Sequence, residues 1–223
     1  MTSTLAFDVY GTLIDTHGVV VRLKEMIGPK AQEFSRTWRE KQLEYSFRRG
    51  LMQNYQNFAV CTRDALDYTC QALGAPLSTG QKEELLNSYR VLPAFDDVAG
   101  GLEKLRALNV RMFAFSNGSA HAVETLLASA GIRDFFEGVV STDELRSFKP
   151  NPAVYCHFLR RSGAGGGGAW MISSNPFDVI GAISAGMKAA WIKRSPEAVF
   201  DPWGIEPTVT VPSVFDLAEA IGD

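Results

Sequence analysis

Cysteine is scarce in this chain. Cys61, Cys70 and Cys156 are the only three among 223 residues, an odd number with no C-x-x-C spacing. That argues against a disulfide framework and a thiolate zinc site, and leaves small buried hydrophobes as the reading for all three. Histidine is equally sparse: His17, His121 and His157 share no motif, so each is expected at a solvent or core position. A net charge of -3 is too small to point to nucleic acid or an acidic membrane surface as partner. No apolar run approaches the ~20 residues that cross a bilayer, and the N-terminus lacks the basic start and apolar centre of a signal peptide. A cytoplasmic protein is the expectation. The length is enough to bury a sizeable interior, as one large domain or as a core carrying an insertion.

The apolar run Leu5-Ala6-Phe7 reads as a first buried strand, and residues 17–89 then contain no convincing strand while helix formers at helical spacing recur. One helix is expected over 31–49 and another over 60–73, the latter stopped by Gly74 with Pro76 beyond it. From Pro93 onward short apolar segments alternate with helical ones, the pattern of βαβ units and a parallel sheet. Strands are expected at 110–115, 138–140, 169–172, 189–192 and 208–211, with helices at 98–108, 121–130, 153–161, 177–185 and 214–221. The glycine-rich run at 163–168 precedes a strand and lacks the Lys-Ser/Thr of a phosphate loop, so it reads as a flexible connection. The organisation that follows is an α/β core of residues 1–15 and 93–223, with a helical cap at 16–92 inserted after the first strand.

Residues 7–13 read F-D-V-Y-G-T-L, so Asp8 ends the first strand, where parallel sheets bind ligands. A tight turn at Tyr10-Gly11-Thr12 is expected to ring its carboxylate with backbone N–H groups, a setting that suits a carboxylate nucleophile. A phosphate-transferring D-x-D pattern carries a second aspartate where this chain has Tyr10. Without that acid, the leaving group must be one that needs no proton. Three further polar clusters fall at strand ends: S-N-G at 116–118, Lys149-Pro150, and S-S-N-P-F-D at 173–178. Any one of them has a bland reading as turn or helix-cap residues. Together, in this order, they converge on one crevice with Asp8.

These segments, with W-R-E-K-Q-L-E-Y at 38–45 and F-K-P at 148–150, resemble the motifs of the haloacid dehalogenase superfamily, and within it the L-2-haloacid dehalogenases. The resemblance spans nearly the whole chain; the 38–45 segment and Tyr10 narrow it from superfamily to dehalogenase. It implies a Rossmann-like parallel sheet with a helical cap, no cofactor, no metal, and a homodimer. It also implies that Asp8 displaces halide from C2 of a short L-2-haloalkanoic acid, and that water hydrolyses the resulting ester to a D-2-hydroxy acid. Arg39, Asn117 and Phe177 would then cradle the halide. Thr12, Ser116 and Lys149 would hold Asp8 and the substrate carboxylate, Tyr155 would help to fix the site, and Ser173, Asn175 and Asp178 would orient and activate the water, with Asn175 and Asp178 capping the next helix as well. Tyr10, Leu43 and Phe58 would form the apolar lining, and Arg39, Glu40 and Leu43 would share the helix face that overhangs it. Glu40 stands where many members have Gln, and Phe177 where some have Trp. A magnesium-dependent phosphatase of the same superfamily, or a silent binding protein on the same fold, are the alternative readings.

Overall fold

The computed structural model describes residues 2–222. Strand β1 (Thr4–Phe7) is followed by four helices, α1 (Gly18–Ile27), α2 (Ala31–Leu51), α3 (Phe58–Ala72) and α4 (Thr79–Ser88), before the chain alternates. The alternating part runs α5 (Val98–Ala107), β2 (Arg111–Ser116), α6 (Ala120–Ser129), β3 (Gly138–Ser141), α7 (Pro152–Ser162), β4 (Ala169–Ser173), α8 (Pro176–Ser184), β5 (Lys188–Ile192), β6 (Val209–Val211) and α9 (Leu217–Ile221). The six strands form one parallel sheet in the order β3-β2-β1-β4-β5-β6. The direction of winding reverses between β1 and β4, so the crevice beyond their carboxyl ends is the ligand position of such a sheet. Asp8, Ser116 and Ser173 all fall there.

Local chemistry sets the helix ends. Asn57 accepts the Val60 N–H at the start of α3, Ser78 and Gln81 cap α4 reciprocally, and Asn151 with Pro152 opens α7, which closes on Gly163 at φ 69. Helix α2 buries Phe34, Trp38, Gln42 and Ser46, one face at four-residue spacing, against α1 and α3. Trp38 donates its indole N–H to the Thr62 carbonyl at 2.9 Å, which satisfies the polar end of a ring that is otherwise buried. The helical segment leaves and rejoins the sheet at one place. The Asp15 N–H reaches the Pro93 carbonyl at 2.9 Å, and the Phe95 N–H reaches Leu13 at 3.0 Å.

Three expectations are corrected. The last helix begins at Leu217 rather than 214; before it the chain is anchored to the start of α5, the Val214 N–H donating to Asp97 Oδ2 at 2.7 Å. Cys156 is exposed, unlike Cys61 and Cys70. On α7 its neighbours Tyr155 and His157 turn inward with Val154 and Phe158, which leaves position 156 on the outer face. The glycine-rich run is not free coil throughout. Gly166–Gly168 forms a turn of 3₁₀ helix, and a Cβ on Gly166 would stand 2.7 Å from the Gly186 carbonyl.

Candidate active site

The residues after β1 form a closed turn in which Thr12, Leu13 and Ile14 all direct their N–H groups at the Val9 carbonyl. Those amides are therefore satisfied within the turn, and the expected ring of backbone donors around Asp8 is not present among the described residues. Side chains replace it. Asp8 Oδ2 accepts from Thr12 Oγ1 at 2.9 Å and from Asn175 Nδ2 at 2.8 Å, while Oδ1 has one contact, Lys149 Nζ at 3.3 Å. The two oxygens are thus unequal: Oδ2 is committed and Oδ1 is open.

Lys149 is 1 % exposed, and its ammonium spends its three donors on Asp8, on the Phe115 carbonyl at 2.8 Å and on Asp178 Oδ2 at 2.8 Å. Two buried carboxylates thus share one cation. Burial pushes the Asp178 carboxyl above its usual range, with Lys149 pulling it back and Asp8 adding to the rise. Tyr155 donates to Asp178 Oδ1 at 2.8 Å, and burial, then the charge of Asp178, raises its phenol well above the usual value. It is a fixed neutral donor. Gly181 makes this packing possible, since a Cβ there would stand 2.5 Å from the Tyr155 hydroxyl and 2.9 Å from Pro150.

The double role expected of Asn175 and Asp178 is corrected. Neither side chain caps α8, because one is spent on Asp8 and the other on Lys149 and Tyr155. Ser116 does not reach Asp8; its Oγ accepts the Gly118 N–H at 3.1 Å and shapes the turn after β2. Ser173 is fully buried and accepts the Asn175 N–H at 3.1 Å, so it orients the residue that orients Asp8. Asn117 has its carboxamide oxygen fixed by the Lys149 backbone N–H at 2.9 Å and by Thr142 Oγ1 at 3.2 Å. A backbone N–H can only donate, so the amide group cannot be reversed, and its NH₂ is left free for a ligand.

Above this crevice lies a cavity of about 450 Å³ lined by Tyr10, Arg39, Phe58, Tyr89 and Gly118 among others. Arg39 extends one guanidinium N–H toward Gln42 Oε1 at 3.5 Å, and Gln42, itself fully buried, donates to the Tyr89 hydroxyl at 3.1 Å. Tyr10 packs on Tyr89 at 6.1 Å between ring centroids; burial, with Tyr89 beside it, pushes the Tyr10 phenol up to about 12 despite Arg39. Phe177 stacks edge-on against Phe47 of α2 at 5.1 Å. Glu40 is exposed, pairs with neither Arg39 nor Arg36, and, like the half-buried Leu43, does not line the cavity. The structure therefore does not set Glu40 against an anionic ligand. The other acid of that helix face, Glu44, is occupied by Lys41 at 2.6 Å and by Arg48.

Residues 2–186 match the family of haloacid dehalogenase-like hydrolases. The chain belongs to that family. It is 36% identical over 96% of its length to an (S)-2-haloacid dehalogenase of Pseudomonas sp. strain YL, 92% of which is covered. It is 37% identical over 93% to haloacetate dehalogenase H-2 of Moraxella sp. strain B, again 92% covered. Among solved structures, L-2-haloacid dehalogenase of Xanthobacter autotrophicus with chloropropionic acid covalently bound aligns over 100% of this chain and 99% of its own, at 30% identity and a TM-score of 0.92.

Three features of this haloacid dehalogenase-like hydrolase were not legible in its motifs. Ser174 donates its N–H to Thr12 Oγ1 at 2.9 Å and its hydroxyl to the Gly11 carbonyl at 2.8 Å, so it, rather than Ser173, ties β4 to the Asp8 turn. Arg194, beyond β5, donates to the Thr12 carbonyl at 2.5 Å and to Asp97 at 2.6 Å while stacking on Phe95 at 4.1 Å. Gln42 supports Arg39 as described. Each is a polar residue in a bland setting, distinguished only by the partners its hydrogen bonds find.

Proposed function

We propose that the protein hydrolyses short L-2-haloalkanoic acids to D-2-hydroxy acids through an ester on Asp8, without a metal or cofactor. The observation that carries this reading is the inequality of the two Asp8 oxygens. Oδ1 attacks C2 as the carbon–halogen bond breaks, and the halide departs with the bonding pair and needs no proton. Arg39 and the free NH₂ of Asn117 are the donors for that anion, and Phe177 supplies an apolar wall. Once Oδ1 is alkylated, Oδ2 is the ester carbonyl oxygen. It already holds two donors, Thr12 and Asn175, so the negative charge that develops when water attacks the carbonyl carbon meets a preorganised pair. Asp178 as its carboxylate, made more basic by burial, takes the proton of that water; the tetrahedral intermediate then collapses with cleavage of the acyl C–O bond, the departing D-2-hydroxy-acid oxygen takes that proton back from Asp178, and the Asp8 carboxylate is regenerated with an oxygen from solvent. Inversion occurs once, at C2.

Residues 16–92 act in this reading as a cap that brings Arg39 and Phe58 over a core of 1–15 and 93–223, with Tyr10 and Phe58 as the apolar lining. Lys149 supplies the positive charge that two carboxylates need, and among the described residues no group of three or more His, Cys, Asp or Glu is placed to hold a metal ion. Among the described residues no helix is long and apolar enough to cross a membrane; a cytoplasmic homodimer is the further part of the proposal and rests on the family resemblance. The test is halide release from each enantiomer of 2-chloropropionate with and without EDTA. Release from the L enantiomer, with D-lactate as product and no loss on chelation, is the expected result. Release from neither enantiomer, or activity restored only by magnesium, would remove the reading.

A further inference from the structure

The cavity is larger than the proposed reaction needs. Its 450 Å³ is a volume that takes drug-sized molecules, whereas a three-carbon 2-haloacid has only a handful of atoms. Its lining is also uneven. Tyr10, two residues from Asp8, and the buried Gly118 line one part of it, Phe58 and Leu86 are half-buried, and Arg63 and Arg90 are exposed. Positive charge is concentrated along the cavity wall. Three arginines, Arg39, Arg63 and Arg90, line this one cavity against a single acid, Glu83, in a chain whose overall charge is -3. They come from α2, from α3 and from the turn after α4, and none of them is in an ion pair among the described residues. Nothing in the chemistry at C2 uses Arg63 or Arg90.

We infer that the cavity selects 2-haloacids that carry a second anionic group at the far end of the chain, namely 2-halo dicarboxylic acids, with Arg63 and Arg90 receiving the distal carboxylate. The inference rests on the proposed dehalogenation at Asp8. The reacting end lies at the buried crevice, methylene groups run past Phe58 and Leu86, and the distal carboxylate arrives where two guanidinium groups offer paired N–H donors of matching geometry. Pairs with exposed arginines are individually weak and screened by salt, so the expected effect is modest and strongest at low ionic strength.

The test compares halide release from (S)-2-bromo diacids, succinate through suberate, with their monomethyl esters at the distal end, and with 2-chloropropionate as the reference substrate. At least one diacid should exceed its monoester at least fivefold in kcat/KM at low salt, and the matching unhalogenated diacid should inhibit more tightly than its monoester. In the doubly substituted protein, Arg63→Gln with Arg90→Gln, both ratios should fall to near one. Diacids used no better than their monoesters, or a preference that survives the double substitution, would overturn the inference. Failure to release halide from 2-chloropropionate would instead strike the proposed function, which keeps the two readings separable.

Discussion

Asn175 and Lys149 carry separable parts of the chemistry. Removing the Asn175 amide strips one of two donors from the oxygen that becomes the ester carbonyl, so Asn175→Ala should slow ester hydrolysis about 100-fold while touching the displacement less. Rapid quenching and mass spectrometry of the intact protein should then show the ester on Asp8 accumulating. An equal loss in both steps would place Asn175 elsewhere in the mechanism. Lys149→Met leaves Asp8 and Asp178 buried without their cation, a change of the kind that costs ~3 kcal/mol. The sign of its pH dependence follows from Asp178. Losing the ammonium raises its carboxyl further, so the folded variant binds more protons than the unfolded chain, and its stability falls as pH rises through that window. Urea melts at pH 7 and pH 5 should show a deficit that shrinks on acidification; an equal deficit at both would mean that the carboxylates do not repel.

At the scale of elements, α8 is held against α7 through a glycine. Gly181→Ala should gain up to ~1 kcal/mol in helix propensity, but the new Cβ would stand 2.5 Å from the Tyr155 hydroxyl, and overpacking of a rigid buried ring costs about 1–3 kcal/mol. The second effect wins, because Tyr155 is fixed by Asp178 and cannot retreat. A net loss of stability together with slower ester hydrolysis is expected, and a more stable, fully active variant would show that the ring can move. The elements themselves were legible for physical reasons: a parallel strand buried on both faces reads as a short apolar run, as in Leu5-Ala6-Phe7, and strand-end polar clusters converge once the sheet is parallel. What could not be read was which donor goes where. Asn175 looks like a helix cap and is one by position only, while Arg194 in Lys193-Arg194 has no local signal and gains its partners from Thr12 and Asp97, far off in sequence. The exposed side of Glu40 likewise depends on how α2 is rotated, which Trp38 and Gln42 decide by burial.

For the whole molecule, four of the six tyrosines report on a single cooperative unit. Tyr10 stands at the crevice, Tyr55 bonds Asp143 from the segment between α2 and α3, Tyr89 lies beneath the helical segment and Tyr155 lies in the sheet domain. All four phenols are raised above the ordinary value of 10.0, foremost by burial. In the unfolded chain they ionise at that ordinary value, so above it the folded protein holds more protons than the unfolded one and stability falls as pH rises. Each such group removes roughly 1.4 kcal/mol per pH unit until its own folded value is reached. All four shifts have the same sign, so their contributions add, and stability falls as pH rises past the ordinary phenol value. An alkaline titration should therefore show the phenolate absorbance of these four appearing with the loss of near-ultraviolet circular dichroism, in one transition above pH 10. If their phenolate signal rose while the dichroism stayed native, the rings would be reached by solvent without unfolding. If two transitions appeared, with Tyr55 and Tyr89 ionising first, the helical segment would unfold apart from the sheet.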